Sequence, residues 1–415
     1  MGKSGTDHVF PQKTWSVPAF LLAAHILSML GFATYAALLP ELRDLWRLSN
    51  TEAGVVGGMF FAGYVPTVSY WTALTDRVDA RKVYAAGSLL AAAGGAGFGL
   101  LADGFASAAV FQVLLGAGIA ATYMPGLRLL SDRVAGPSQS RTIAFYTSSF
   151  GIGIALSLAL AGAIAPLAGW RAAFIASAAG PLVAGPLVML GLRPAAAAGA
   201  ARPASLADLF PLGAWRRVLA DRAVAGYTLG YAAHAMELFG SRSWMVAFLV
   251  FSAGLQTPAP GFPWHAATIA AVANLVSVSA SILGNEIALR IGRRPWIMIA
   301  MAASGTTGIV LGLSAPWHWA IVAALLVVYS MLVMAESATL TAGLVAAAPA
   351  ELRGAAMGLY SLAGFGGGLL GPVVFGVALD ASGGAASVAA WVIAYAAIGS
   401  GCLAAPFVAR LYGRG

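Results

Sequence analysis

The nine residues AAHILSMLG at 23–31 return as AAHAMELFG at 232–240, an offset of 209 (232 less 23) in a chain of 415. Each copy sets a histidine inside a long apolar run, over 17–39 for the first and 223–252 for the second. Ten further runs lie at 52–75, 83–103, 106–131, 141–165, 171–192, 263–289, 294–313, 316–346, 354–378 and 384–409. A membrane barrel strand would alternate over about ten residues, whereas these runs are continuous and rich in Ala, Leu and Gly. Where no water satisfies the backbone, such runs must be helices, and about 20 apolar residues suffice to cross a bilayer. Composition agrees: 60% of residues are hydrophobic and 9% charged, against about a quarter charged in a soluble domain. Mean hydropathy is +0.84. The expected fold is an all-α integral membrane protein of twelve spanning helices.

The repeat divides these helices into two sets of six, 1–192 and 223–415. Between them lies the one long polar connection, 193–222, rich in Ala, Pro and Arg. Further matched pairs support the division. TDRVDARK at 75–82 follows the second helix and LRIGRR at 289–294 follows the eighth, while Pro137 with Arg141 corresponds to Pro349 with Arg353.

A net charge of +8 raises nucleic acid as a partner, but the basic residues are scattered between apolar runs, which is the pattern of membrane orientation. Of 23 Lys and Arg, Arg43, Arg47 and Arg171 fall on one side and Arg128 and Arg242 inside helices. The remaining 18 fall on the side of the N-terminus. The positive-inside rule then makes both termini and the 193–222 connection cytosolic. Residues 1–16 are polar and precede no separate apolar leader, so the first span is expected to be retained. A single cysteine, Cys402, excludes a disulfide within the chain and gives no metal cluster.

These loops carry a resemblance. The loop after the second helix is similar to the pattern GxxxDRxGRR, keeping Asp76, Arg77, Arg81 and Lys82 but holding Thr72 and Asp79 where glycines are usual. The loop after the eighth keeps Arg290, Gly292, Arg293 and Arg294, with Leu289 in the acidic position. With APLAGWRAAF at 165–174 and RGAAMGLYSLAGFGGGLLGP at 353–372, the chain resembles the major facilitator superfamily along nearly its whole length. That resemblance implies two six-helix bundles related by a pseudo-two-fold axis along the membrane normal. It also implies a cavity lined by helices one, four, seven and ten, and alternating access. Asp76, Arg77, Arg81, Arg290 and Arg293 are the expected gating charges, since carboxylate and guanidinium groups at helix ends can form a latch that opens and closes.

A charge at the bilayer centre costs at least about 2.5 to 3.5 kcal/mol, so ionisable residues inside the spans carry most information. They are His25, Arg128, His234, Glu237, Arg242 and Glu336, with Glu286 near the cytosolic end of helix eight. On helix seven, Tyr227, Tyr231, His234, Glu237, Ser241 and Trp244 recur at three and four residues and share a face. On helix one His25, Ser28, Phe32 and Tyr35 do the same, which sets two histidine-bearing faces across the pseudo-axis. Tyr123, Met124, Pro125 and Arg128 mark helix four, where the repeat puts Met124 opposite Glu336. Expected substrate contacts are Arg128, Tyr123, His25, Tyr35, Tyr231, Trp244 and Arg242. Arg128 has alternatives, a pair with Asp132 in the next turn or snorkelling to the cytosolic interface. Glu237, Glu336 and His234 are the expected proton carriers, because burial raises a carboxyl toward neutrality, and Glu237 is the first choice for its neighbour His234.

The superfamily's proton-linked exporters often carry RxxxGxG on helix four; here QVLLGAG places Gln112 there. The reading is therefore a proton-coupled secondary transporter of a small polar or anionic metabolite in the inner membrane, monomeric and without cofactor. Export of amphipathic compounds is the alternative, and a non-transporting membrane sensor an alternative of another class. The absence of GxSxG, GxxxxGK[ST] and HExxH speaks against an enzyme or an ATP-driven pump.

Overall fold

The computed structural model describes residues 16–134, 138–194, 211–256 and 265–412. Both chain ends and the centre of the connection, residues 195–210, lie outside them. Among the described residues there are helices and no strands. In chain order these are α1 (Ser16–Ser28), α2 (Thr34–Leu45), α3 (Asn50–Leu74), α4 (Ala80–Leu101), α5 (Phe105–Ser131) and α6 (Ser138–Gly191). Next come α7 (Leu212–Ala220), α8 (Arg222–Gly254), α9 (Ala266–Ile291), α10 (Arg293–Leu313) and α11 (Trp319–Ala335). The last are α12 (Ser337–Ala347), α13 (Arg353–Ala381) and α14 (Val388–Tyr412). Nine of the described helical segments are long and apolar enough to cross a membrane. α3 and α8, of 25 and 33 residues, are long enough but more polar.

α6 holds 54 residues, which at 1.5 Å each would far exceed a bilayer. Gly169 resolves this: its φ of 83° and ψ of 165° are not helical and fold the segment into two arms. Only glycine takes that conformation without strain, and it falls between the runs read as 141–165 and 171–192.

Two runs read as continuous helices are interrupted. The first breaks between α1 and α2, through a 3-10 turn at Met29–Gly31. Ser157 of α6 mends the break, since its hydroxyl accepts from Ala33 N at 3.0 Å and donates to Leu30 O at 2.6 Å. The run 316–346 breaks at Glu336, between α11 and α12. There Trp296 Nε1 donates to the freed carbonyl of Ala335 at 3.1 Å. Continuous hydropathy hides such breaks, because the loss of one or two backbone bonds is made good by side chains distant in sequence.

The first half of the chain meets the second along three lines, α3 on α13, α6 on α9 and α2 on α8. At Gly54 and Gly58 of α3 an added Cβ would run into the backbone carbonyls of Pro372 and Leu369 of α13, so these glycines permit the close approach. That contact ends in a polar clasp: Asp380 of α13 accepts from Asn50 N at 3.2 Å, Asn50 Nδ2 at 2.7 Å, Thr51 N at 2.7 Å and Thr51 Oγ1 at 2.6 Å. A carboxylate there meets the unpaired N–H groups and positive dipole end of α3.

Candidate functional site

The break at Glu336 turns its carboxylate inward, where it is fully buried against His234 of α8, itself 1% exposed. His234 Nδ1 lies 3.0 Å from Glu336 Oε1, a contact that needs one proton: Nδ1–H donates to a carboxylate, or a carboxyl O–H donates to the ring. Glu336 Oε2 has no partner. Tyr231 stacks on His234 at 5.6 Å and on Tyr360 at 3.9 Å, closing the pair in with aromatic rings.

Glu237 is not the partner of His234, contrary to the expectation from their spacing. It is buried, accepts from Ser304 Oγ at 2.8 Å, leaves Oε1 unpaired and sits near Cys402 and Tyr329. Three residues along a helix turn through about 300°, and that difference sends Glu237 toward α10 and α14 while His234 faces the broken helix.

His25, the repeat counterpart of His234, meets no acid among the described residues. Ser149 Oγ donates to Tyr146 O at 2.6 Å and so accepts from His25 Nδ1–H at 2.7 Å. This assigns the tautomer and leaves Nε2 without a partner. Tyr146 and Tyr123 lie 4.6 and 5.2 Å from the ring. His25 and His234 each find their partner within their own half of the chain.

Two arginines in the spans have opposite surroundings. Arg128 donates to Asp76 and to Thr75 Oγ1 and lies 3.6 Å from Asp132. It is held at the end of α5 by two acids, the first of its alternative readings and more. Asp76 therefore ties α3 to α5 rather than to the following helix. Arg242 of α8 has no carboxylate within 4.0 Å among the described residues; its hydrogen bond runs from Nη2 to Met334 Sδ at 3.6 Å. It lines a cavity of about 40 Å³ where the halves meet, with Tyr35, Gln112, Ser243 and Asn274.

The other expected contacts divide in the same way. Tyr35 lines that cavity with its ring and donates its hydroxyl to Ala53 O at 3.0 Å. Trp244 is fully buried, donates Nε1 to Pro372 O at 3.0 Å and packs on Phe375 and Trp391. It belongs to the core of the second half and does not line that cavity. Arg81 clamps Asp79 at 2.7 Å and caps α6 through Leu192 O at 2.6 Å. Burial raises the Asp79 carboxyl, but hydrogen bonds from Arg81 outweigh it and hold the group below its ordinary range. Arg77 and Arg290 are exposed, and Arg293 is partly so. Sequence reasoning missed Asp380 and the aromatic contact of Phe61 with Phe239 at 4.5 Å across the halves. A lone acid ending an apolar run was the available signal for Asp380.

A family model described as the Major Facilitator Superfamily matches residues 21–372. The chain belongs to that superfamily. The facilitator is thus a transporter rather than an enzyme, and a multi-pass membrane protein. A bacterial homolog of the human lysosomal transporter Spinster, in an inward-facing and unoccupied conformation, shares its fold with a TM-score of 0.75. Identity there is 16%, covering 97% of this chain and 96% of that one. A mutant of the nucleoside transporter NupG also gives 0.75, at 17% identity over 95% of this chain and 100% of that one. No curated protein matches the facilitator in sequence.

Proposed function

We propose that the facilitator is a proton-coupled secondary transporter of a small polar or anionic metabolite, working by alternating access across the inner membrane. The buried contact of His234 with Glu336 carries this reading. An acid and a base share a proton at a helix break, which a rocking motion between the halves can expose first to one side and then to the other. Counting the two arms of α6 separately, pairing α1 with α2 and α11 with α12, and adding α3 and α8 gives twelve spans in two bundles, with both termini cytosolic. The clasp of Asp380 on α3 is then the closed outer end, and Arg128 with Asp76 belongs to the inner gate. A monomer suffices for this cycle.

The test is flux in proteoliposomes with and without an imposed pH gradient. Glu336→Gln is expected to retain substrate exchange and lose accumulation driven by the gradient, with His234→Ala weaker in the same sense and Glu237→Gln as the second candidate carrier. If all three follow the gradient as the wild type does, protons are not carried here. Export of amphipathic compounds is the second reading, favoured by the rings of Phe61, Phe239 and Phe365 that meet between the halves. A preference for hydrophobic cations over anions would support it.

A further inference from the structure

Arg242 poses a problem of charge. A guanidinium cannot shed its proton at any physiological pH, and inside a membrane an ionised side chain is found paired or facing water. Arg128 satisfies that rule with Asp76 and Asp132. Arg242 has a thioether instead, although Glu237 is only five residues away on the same helix. Five residues turn a helix through about 500°, so the two side chains leave α8 in different directions, and Glu237 is engaged by Ser304.

The surroundings of Arg242 complete a site. Gln112 of α5, across the interface, is 2% exposed and leaves Oε1 without a hydrogen bond although it lines the same cavity. Turned by half about its last torsion, the same amide presents N–H donors. Ser243 adds a hydroxyl, while the amide N–H of Asn274 is engaged by Ala270 O at 2.9 Å. Phe32, Phe60, Phe61 and Phe239 add aromatic rings to a wall that is otherwise apolar. We infer that Arg242 and Gln112, one from each half, form the binding site for a small organic monoanion, a flat carboxylate carrying an apolar body.

Each part of that description has a cause. One guanidinium among neutral lining groups balances one negative charge, and a dianion would leave the site net negative. The guanidinium fork matches a planar carboxylate by two parallel hydrogen bonds. At about 40 Å³ the cavity has room for a few water molecules or for the head group. The apolar body must therefore part Phe61 from Phe239, rings that belong to opposite halves. Binding and rocking are coupled by that displacement.

This inference rests on the transporter reading but is tested without transport. The purified full chain in detergent is titrated with acetate, hexanoate and benzoate, with benzamide and benzyltrimethylammonium as neutral and cationic counterparts, following the shift in Tm. Expected is saturable stabilisation by hexanoate or benzoate, none by benzamide or the cation, and affinity weakened about tenfold or more in Arg242→Gln. Arg242→Lys keeps part of the effect. In carboxylate-free buffer Arg242→Gln has a Tm equal to or above the wild type, because it removes an unpaired charge; a lower value would assign Arg242 to structure and overturn the site. No stabilisation by any of the three carboxylates, or equal stabilisation in Arg242→Gln, overturns it too. Retained carboxylate binding with no response to a pH gradient would remove the coupling and leave the site standing.

Discussion

His25 and His234 occupy the same place in a repeated nine-residue frame, yet among the described residues only His234 meets an acid. In the first half the ring bonds Ser149 and is packed by Tyr123 and Tyr146. In the second half the equivalent helix faces α11, whose run breaks at Glu336 and delivers a carboxylate to the ring. Met124 stands where the second half has Glu336, and α5 runs unbroken past Met124 where the second half breaks at Glu336, so a residue and a helix break together separate the surroundings of the two rings. The duplication supplies the scaffold, and the departure from it marks the chemistry.

The comparison presupposes that both halves enter the membrane from the same side, and the largest expected effect tests that. Cysteines placed at Ala200 and Gly415, both outside the described residues, in a Cys402→Ala background are expected to resist an impermeant thiol reagent added from outside intact cells. They should label fully once the membrane is opened. Ready labelling of both in intact cells would invert the topology and turn the Asp380 clasp into an inner gate.

A second measurement sharpens the contrast between the histidines. His25→Gln removes a ring whose Nδ1 is bonded to Ser149 and is expected to keep accumulation driven by a pH gradient, whereas His234→Ala loses much of it. Equal loss in both would mean that the two halves carry protons together and that Glu336 is not what separates them.

The smallest expected effect concerns Arg128, which lies toward the surface between two acids that are about half exposed. Arg128→Gln frees Asp76 and Asp132, and the loss of stability is expected to be about 1 kcal/mol or less, as for exposed ion pairs. Turnover is expected to fall while benzoate still shifts Tm, because the side chain is held by Asp76 and Asp132 and does not line the cavity of Arg242. Loss of ligand binding in Arg128→Gln would return it to the substrate site.

Hydropathy, the repeat and the scatter of basic residues made the helical membrane fold and its superfamily legible, because bilayer insertion acts on each segment through local composition. The same local signals named His25, His234, Glu237, Glu336, Arg128 and Arg242 as the residues that a membrane interior does not hold idly. What they could not give was pairing. That Glu336 rather than Glu237 meets His234 depends on a helix break and on a turn of 60° around α8. That Arg128 is neutralised and Arg242 is not depends on which helices pack beside them. Asp380 reaches Asn50 across 330 residues. Composition is a property of each segment and can be read along the chain; the partner of a buried charge is a property of the packing between segments, and only the folded structure fixes it.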